Sequence, residues 1–276
     1  MDCEPCLGRL VESAILRAGE KRDAHNRQTT VHRIRMVKKR QHAMQKDGKR
    51  VRLSRRGEAK LRRVTMAGLI DKVHWLGHAS FMIHGEKVVY IDPYELRLCE
   101  QADIILITHA HFDHCSLEDL RKIIKADTVI VTVAENEAKL SPLSSDVGDI
   151  KLIKPGDRVE VDGVSIAAVP AYNTNKDFHP KSKQWVGFVI EVGGERLYHA
   201  GDTDLVEEMA EVDCDIALLP VSGTYVMTAE EAAEASKRIA PRIAVPMHYG
   251  RIVGDDKDAK RFAELCDCEV RILEKD

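Results

Sequence analysis

No apolar run in this 276-residue sequence approaches the roughly 18–20 residues that a helix needs to cross a bilayer, so a helical membrane span is excluded. The N-terminal stretch lacks the apolar core of a secretory signal, because charged residues interrupt and flank Leu10 to Leu16. Cysteine lacks a framework: there are seven, an odd number. Cys3-x-x-Cys6 and Cys266-x-Cys268 are each a lone pair, where a four-cysteine zinc site needs two. Free thiols in a reducing cytosol are the expectation, and with them a cytoplasmic location. Gly-x-Ser-x-Gly is also missing, so nothing marks a serine nucleophile elbow.

What is present divides in two. The net charge of −3 hides a composition break near Met66. Residues 1–65 carry 19 Lys/Arg and 7 Asp/Glu, whereas residues 66–276 carry 23 and 38, a balance of −15. Leu7 to Ala18 could form one short amphipathic helix. From His25 to Arg63 the chain is mostly Arg, Lys and Gln, with few side chains able to offset the entropy of ordering. The basic extension is therefore expected to be disordered or short-helical. It could be a basic arm that contacts nucleic acid through phosphates, a solvated tail, or lie upstream of a true start at Met66, the reading preferred here. Residues 66–276 then form the folded domain.

One heptapeptide organises that domain: Thr108-His109-Ala110-His111-Phe112-Asp113-His114. It follows the apolar run Asp103 to Ile107 and precedes a helical pattern from Ser116. His and Asp are seldom buried without partners, and loops at strand ends carry chemistry. Imidazole nitrogen with carboxylate oxygen suits zinc, or iron or manganese. Four ligands this close cannot all reach one ion, since alternate residues point in different directions. Two divalent ions side by side resolve this, with His109 and His111 on one and Asp113 and His114 on the other.

Around this loop the pattern is orderly. Strand-like runs cover Val73–Leu76, Ser80–Ile83 and Lys87–Ile91, then Thr128–Val133, Ile150–Ile153, Arg158–Val161, Val164–Val169 and Trp185–Val192. Arg196–His199, Ile216–Leu219, Ile243–Val245 and Glu269–Leu273 follow. Helical patterns cover Leu117–Lys125, Ala134–Leu140, Leu205–Ala210, Thr228–Ile239 and Lys257–Cys266, with Thr228 and Glu231 spaced as a capping box. Two rounds of meander, strand and helix imply halves at about 71–150 and 151–276. Two sheets packed face to face, with helices outside, would bury both.

Two ions need further ligands. Asp202, after a strand and a turn-forming glycine, could bridge them, and His248 follows another buried strand. His74 and His84 read as ordinary strand residues. Tyr225 and Tyr249 are candidates to line a pocket.

With Trp75-Leu76-Gly77-His78-Ala79-Ser80, Ile91-Asp92-Pro93, His199-Ala200-Gly201-Asp202-Thr203 and Pro246-Met247-His248-Tyr249 beside it, the heptapeptide resembles the signature of the metallo-β-lactamase superfamily. The set is similar to the branch of metal-dependent hydrolases near ascorbate-6-phosphate lactonase and N-acyl-phosphatidylethanolamine phospholipase D. The resemblance covers residues 71–276. It implies an α/β fold, a four-layer αβ/βα sandwich with a two-metal site at one edge. It also implies that Asp202 bridges, that His248 completes the second ion, and that Asp92 orients a ligand imidazole. Relatives place a third histidine for the first ion where this chain has Asn173. His179 is the expected substitute, reaching in from the loop, with water or Asn173 as the other possibility. For His78 two roles stand: donation to a substrate oxyanion or phosphate, or a scaffold hydrogen bond. A structural hydrogen bond is expected for His199.

The implied chemistry is hydrolysis of a small ester, lactone or phosphodiester by a hydroxide held between two ions, zinc by preference and manganese or iron otherwise. Asp113 would orient it. The pattern His-x-Glu-x-Asp, associated with diiron oxidoreductases of this fold, is absent. The rivals are a nuclease using residues 1–65 as an RNA-holding arm, and a non-catalytic binding protein stabilised by its metals. A small-molecule substrate is the expected partner. Nucleic acid enters only with the extension, and a homo-oligomer is compatible with the sequence.

Overall fold

The computed structural model describes residues 68–97 and 100–276. The Leu7–Ala18 helix, the basic stretch to Arg63 and the Met66 start lie outside the described residues. One compact unit runs from Ala67 to Asp276. Its first half makes a six-stranded sheet in chain order: β1 (Val73–Gly77), β2 (Ser80–His84), β3 (Val88–Ile91), β4 (Ile104–Ile107), β5 (Val129–Thr132) and β6 (Asp149–Leu152). The second half makes a seven-stranded sheet, also in chain order: β7 (Arg158–Val161), β8 (Val164–Pro170), β9 (Val186–Val192), β10 (Glu195–His199), β11 (Ile216–Pro220), β12 (Ile243–Met247) and β13 (Glu269–Val270). In each, an antiparallel meander leads into four parallel strands, β3–β6 and β10–β13.

The apolar runs that do not alternate are explained by burial on both faces. Val89, Ile91, Ile104, Leu106 and Val131 enter the core between the sheets, with Phe188, Ile190 and Leu218 from the other side. Tyr90, Ile105, Ile107 and Ile130 face away and meet Leu120 and Ile123 of α1 (Leu117–Ile123) and Leu140 of α2 (Glu137–Leu140). On the second sheet, α3 (Ala229–Ile239) and α4 (Asp256–Leu265) contribute Ala232, Ala235, Ile239 and Phe262. The layers are helix, sheet, sheet, helix: the α/β four-layer αβ/βα sandwich.

Local chemistry sets the helix boundaries. Ser116 caps α1 by accepting from the Asp119 amide at 3.3 Å. Thr228 and Glu231 form both bonds of a capping box at α3, 3.1 and 2.8 Å. The helix expected over Leu205–Ala210 is instead a 3₁₀ segment, Glu207–Glu211, in which Met209 alone is buried. That is too little packing to hold an α-helix of this length. Among the described residues no helix is long and apolar enough to cross a membrane.

Candidate metal centre

The carboxyl ends of parallel strands carry the chemistry. Asp92 follows β3, the heptapeptide follows β4, Asp202 follows β10 and its Gly201 turn, Ser222 follows β11, and His248 follows β12. His78 sits in the β1–β2 turn and His179 in the long β8–β9 connection. Gly201 has φ +65°, and a Cβ there would lie 2.8 Å from the Val186 carbonyl oxygen, so this turn requires glycine. His78, Asp92 and His248 are non-glycine residues held at φ of 53°, 47° and 60°. Backbone of this kind costs energy and persists where the surroundings over-determine it, chiefly at functional sites.

Two groups of side chains converge there. His109, His111, His179 and Asp202 offer atoms all within 4.8 Å of one another, and so do His78, Asp113, His114 and His248. Asp202 reaches both. Its Oδ2 is 3.0 Å from His248 Nε2, 3.2 Å from His179 Nε2 and 3.9 Å from His109 Nε2, and its Oδ1 is 3.4 Å from His114 Nε2.

The outer contacts decide which nitrogen faces inward. His114 Nδ1 donates to Asp92 Oδ2 at 2.7 Å. Asp92 is fixed in turn by the Thr108 amide at 2.8 Å and hydroxyl at 2.7 Å. With its own hydrogen given to Asp92, the Thr108 hydroxyl accepts from His109 Nδ1 at 2.9 Å. His179 Nδ1 donates to Asn173 Oδ1 at 3.0 Å and the Tyr225 carbonyl at 3.2 Å. His248 Nδ1 lies 3.1 Å from Ser222 Oγ. His109, His114 and His179 thus turn an Nε2 lone pair inward, and His248 does the same with its Nδ1 donating to Ser222.

A pair of cations suits what those atoms lack. His114 Nε2, His179 Nε2 and Asp202 Oδ1 are buried without a properly aligned hydrogen bond, although buried polar atoms are normally paired. Burial drives His109 and His111 toward the neutral form that binds metal. Burial pushes the Asp113 carboxyl up, but the His78 hydrogen bond and the His114 charge outweigh it and bring it down to about 2. Burial likewise opposes ionisation of Asp202, and the charges of His248 and His114 win, holding it well below the carboxylate range. For His114, burial is outweighed by Asp202 and Asp92, which raise it well above the ordinary imidazole value. A cation beside those carboxylates would compete with that proton. Nitrogen and carboxylate donors without thiolate match zinc and its harder neighbours.

The remaining expectations separate cleanly. Asn173 lies behind His179, accepting from both its amide (2.9 Å) and its ring, while His179 itself is in the cluster. His78 Nε2 donates to Asp113 at 3.0 Å, and its ring packs 3.9 Å from that of His248. His199 Nε2 donates to the Ala79 carbonyl at 2.9 Å, and its Nδ1 accepts from the Gly201 amide at 3.1 Å. His74 and His84 pair with Asp276 and Glu100, away from the clusters. Tyr225 contributes its carbonyl. Tyr249 is buried and stacked on Trp75 at 5.0 Å, within the core cluster. Sequence reasoning missed Ser222, whose signal was its place one residue beyond Pro220-Val221, and Trp185, whose ring lies 4.8 Å from both His109 and His111. It also missed Asn136, which donates to the His109 carbonyl at 3.2 Å.

Comparison with known proteins agrees with this architecture. The Beta-lactamase superfamily domain matches residues 72–248. A UPF0173 metal-dependent hydrolase of Thermoplasma acidophilum is 36% identical over 211 residues, 70% of this chain and 90% of the relative. Another, from Thermococcus kodakarensis, is 34% identical over 217 residues, 73% and 95% of the two chains. Among solved structures, Igni18, a metallo hydrolase from Ignicoccus hospitalis, superposes with a TM-score of 0.58 at 28% identity, covering 74% of this chain and 94% of that one. With its strand-end histidines and aspartates in two adjoining groups, the chain belongs to the metallo-β-lactamase superfamily and, within it, to the metal-dependent hydrolases.

Proposed function

We propose that the protein hydrolyses a small ester, lactone or phosphodiester at a two-ion centre, with zinc as the resident metal. The observation that carries this reading is Asp202, a single buried carboxylate within 3.0–3.9 Å of imidazoles from both groups. His109, His111 and His179 would hold one ion, and Asp113, His114 and His248 the other, with Asp202 between. Bound there, the cations would bring a water molecule's proton loss near neutral pH and polarise the scissile oxygen.

The chain's own residues supply the rest. Asp113 would orient the attacking water. His78 acts through Asp113: its Nε2–H is committed to that carboxylate, and burial keeps the ring toward its neutral form. Its Nδ1 is then an acceptor, so of the two roles considered for His78 the geometry supports positioning over donation to an oxyanion. His109, His179 and His248 are each 1% exposed, while His111 is partly open and Asp113 is 8% exposed. Structural metal sites are closed, whereas catalytic ones keep an open side. That opening favours an enzyme over a merely metal-stabilised binder.

The test is elemental analysis of the purified full chain, together with turnover of p-nitrophenyl esters, lactones and bis-p-nitrophenyl phosphate. Two bound metal equivalents are expected, with hydrolysis abolished by chelation, restored by zinc, and reduced at least 1,000-fold in Asp113→Ala. Protein without bound metal, or Asp113→Ala of undiminished activity, would refute the proposal.

A further inference from the structure

Which of those substrate classes the site takes is written in its rim. Five large apolar side chains are exposed among the described residues, and two adjoin candidate ligands: Phe112 at 64%, between His111 and Asp113, and Phe178 at 50%, next to His179. Singly scattered exposed hydrophobes need no explanation, but two phenylalanines flanking one centre are not scatter. Each is steadied by a tyrosine that touches a different cluster. Phe112 lies edge-on to Tyr94 at 5.9 Å, and Tyr94 stands 6.5 Å from His78. Phe178 lies edge-on to Tyr225 at 4.6 Å, and the Tyr225 carbonyl holds His179. Each group of candidate ligands therefore has one aromatic pair beside it.

Four of the cations beside the centre pair with carboxylates, while Lys139 Nζ reaches the Ala110 carbonyl of the heptapeptide at 3.3 Å. Lys176 pairs with Asp204 at 2.5 Å, Lys181 with Glu208 at 3.0 Å, Lys183 with Glu135 at 2.6 Å and Arg251 with Glu95 at 2.6 Å. These side chains belong to the loop carrying His179 and to the segment after His248, where a phosphate-reading site would keep a basic group for the ligand. The acidic balance of residues 66–276 adds to this.

We propose that the substrate is an uncharged carboxylic ester or lactone whose apolar acyl group lies between the Tyr94–Phe112 and Phe178–Tyr225 pairs, and that phosphate esters are discriminated against. This rests on the hydrolytic reading above. Water oxygen bonds to the acyl carbon and the acyl C–O bond breaks. The proton that the water gives up ends on the alkoxy oxygen, leaving one acid and one alcohol group.

The test titrates the zinc-loaded full chain calorimetrically with acetate, butyrate and hexanoate, as product-like probes, and with inorganic phosphate. Hexanoate is expected to bind at least tenfold more tightly than acetate, since each methylene group buried adds roughly a factor of four. Phosphate is expected to bind no more tightly than acetate. The exposed-site double variant Phe112→Ser/Phe178→Ser, with its zinc content measured alongside, should flatten the dependence on chain length. Equal affinity for acetate and hexanoate, a slope surviving in the double variant, binding of no carboxylate, or tighter binding of phosphate would each overturn the substrate class while leaving the metal centre standing. A chain that takes up no zinc overturns the hydrolytic reading itself, and this proposal with it.

Discussion

A single hydrogen bond behind His114 decides whether its ring can serve the site at all. Asp92 Oδ2 accepts from His114 Nδ1, while Oδ1 accepts from the Thr108 amide. In Asp92→Asn the retained oxygen can keep the Thr108 amide. The new NH₂ then faces the imidazole and favours the tautomer with hydrogen on Nε2, where a lone pair is needed. Affinity for the second ion should fall 10–100-fold while the fold persists, read by competition against a chromophoric chelator. Asp119 makes a separate case, outside both groups of candidate ligands. Its carboxylate accepts from the Glu95 amide (2.9 Å), the Leu96 amide (3.0 Å), Ser116 Oγ (2.7 Å) and Lys122 Nζ (2.8 Å). Burial pushes its pKa up, but those donors outweigh it and the net shift is downward. A carboxyl depressed in the folded state stabilises fully above its unfolded pKa and loses that contribution as pH falls through the folded value. Asp119→Asn should therefore cost about 2 kcal/mol near pH 7, and the gap from the wild type should close as both are titrated into acid below pH 4, seen in urea unfolding at each pH. At this scale the heptapeptide was legible because three histidines and an aspartate in six residues have few other uses. Ser222 and Asn136 were not, because lone polar residues at strand ends look alike until the chain is folded.

The β8–β9 connection is the element on which the first cluster depends, and it lacks regular structure around His179. Asp204 ties it down: fully buried, it accepts from the Thr174 amide (2.8 Å), the Asn175 amide (3.3 Å) and Lys176 Nζ (2.5 Å). Asn173 then passes that order to His179. Asp204→Asn keeps one acceptor but gives up the ion pair, so the loop should loosen around its ligand. Zinc titration should turn from two tight equivalents to one tight and one weakened at least tenfold, the tight one being the Asp113–His114–His248 ion. Two equally tight equivalents would show that the loop needs no such tie. Strands and helices around this loop were legible from local pattern: the Thr228–Glu231 capping box fixes the start of α3, and the all-apolar Ile104–Ile107 gives a strand buried on both faces. The loop was not, because its shape comes from Asp204 and Tyr225, distant in sequence, and no periodicity encodes it.

At the scale of the whole molecule the centre is also a joint between the two sheets. The His248 amide donates to the His78 carbonyl at 2.9 Å, His199 Nε2 to the Ala79 carbonyl at 2.9 Å and the Val186 amide to the Thr108 carbonyl at 3.2 Å. Each of these bonds links a residue at or next to a strand end of one sheet to one at or next to a strand end of the other. Asp202, from the second sheet, lies among the imidazoles of the heptapeptide, from the first. Ions coordinated there would be bound by the folded chain and by little of the unfolded one, since the ligands come together only when both sheets are in place. Binding of that kind adds to stability by mass action, about 2.7 kcal/mol for each site at a hundredfold excess over its dissociation constant. Two sites on a domain of this size correspond to a rise in Tm of about 10–20 °C. Calorimetry of chelator-treated and zinc-reconstituted protein should show that difference. Asp202→Ala, which removes the carboxylate common to both groups, should abolish most of it, whereas Phe112→Ser, at the exposed rim, should retain it. Equal melting temperatures with and without zinc would mean that the sheets hold these side chains together without metal, and that the unpaired nitrogens at the joint serve no cation.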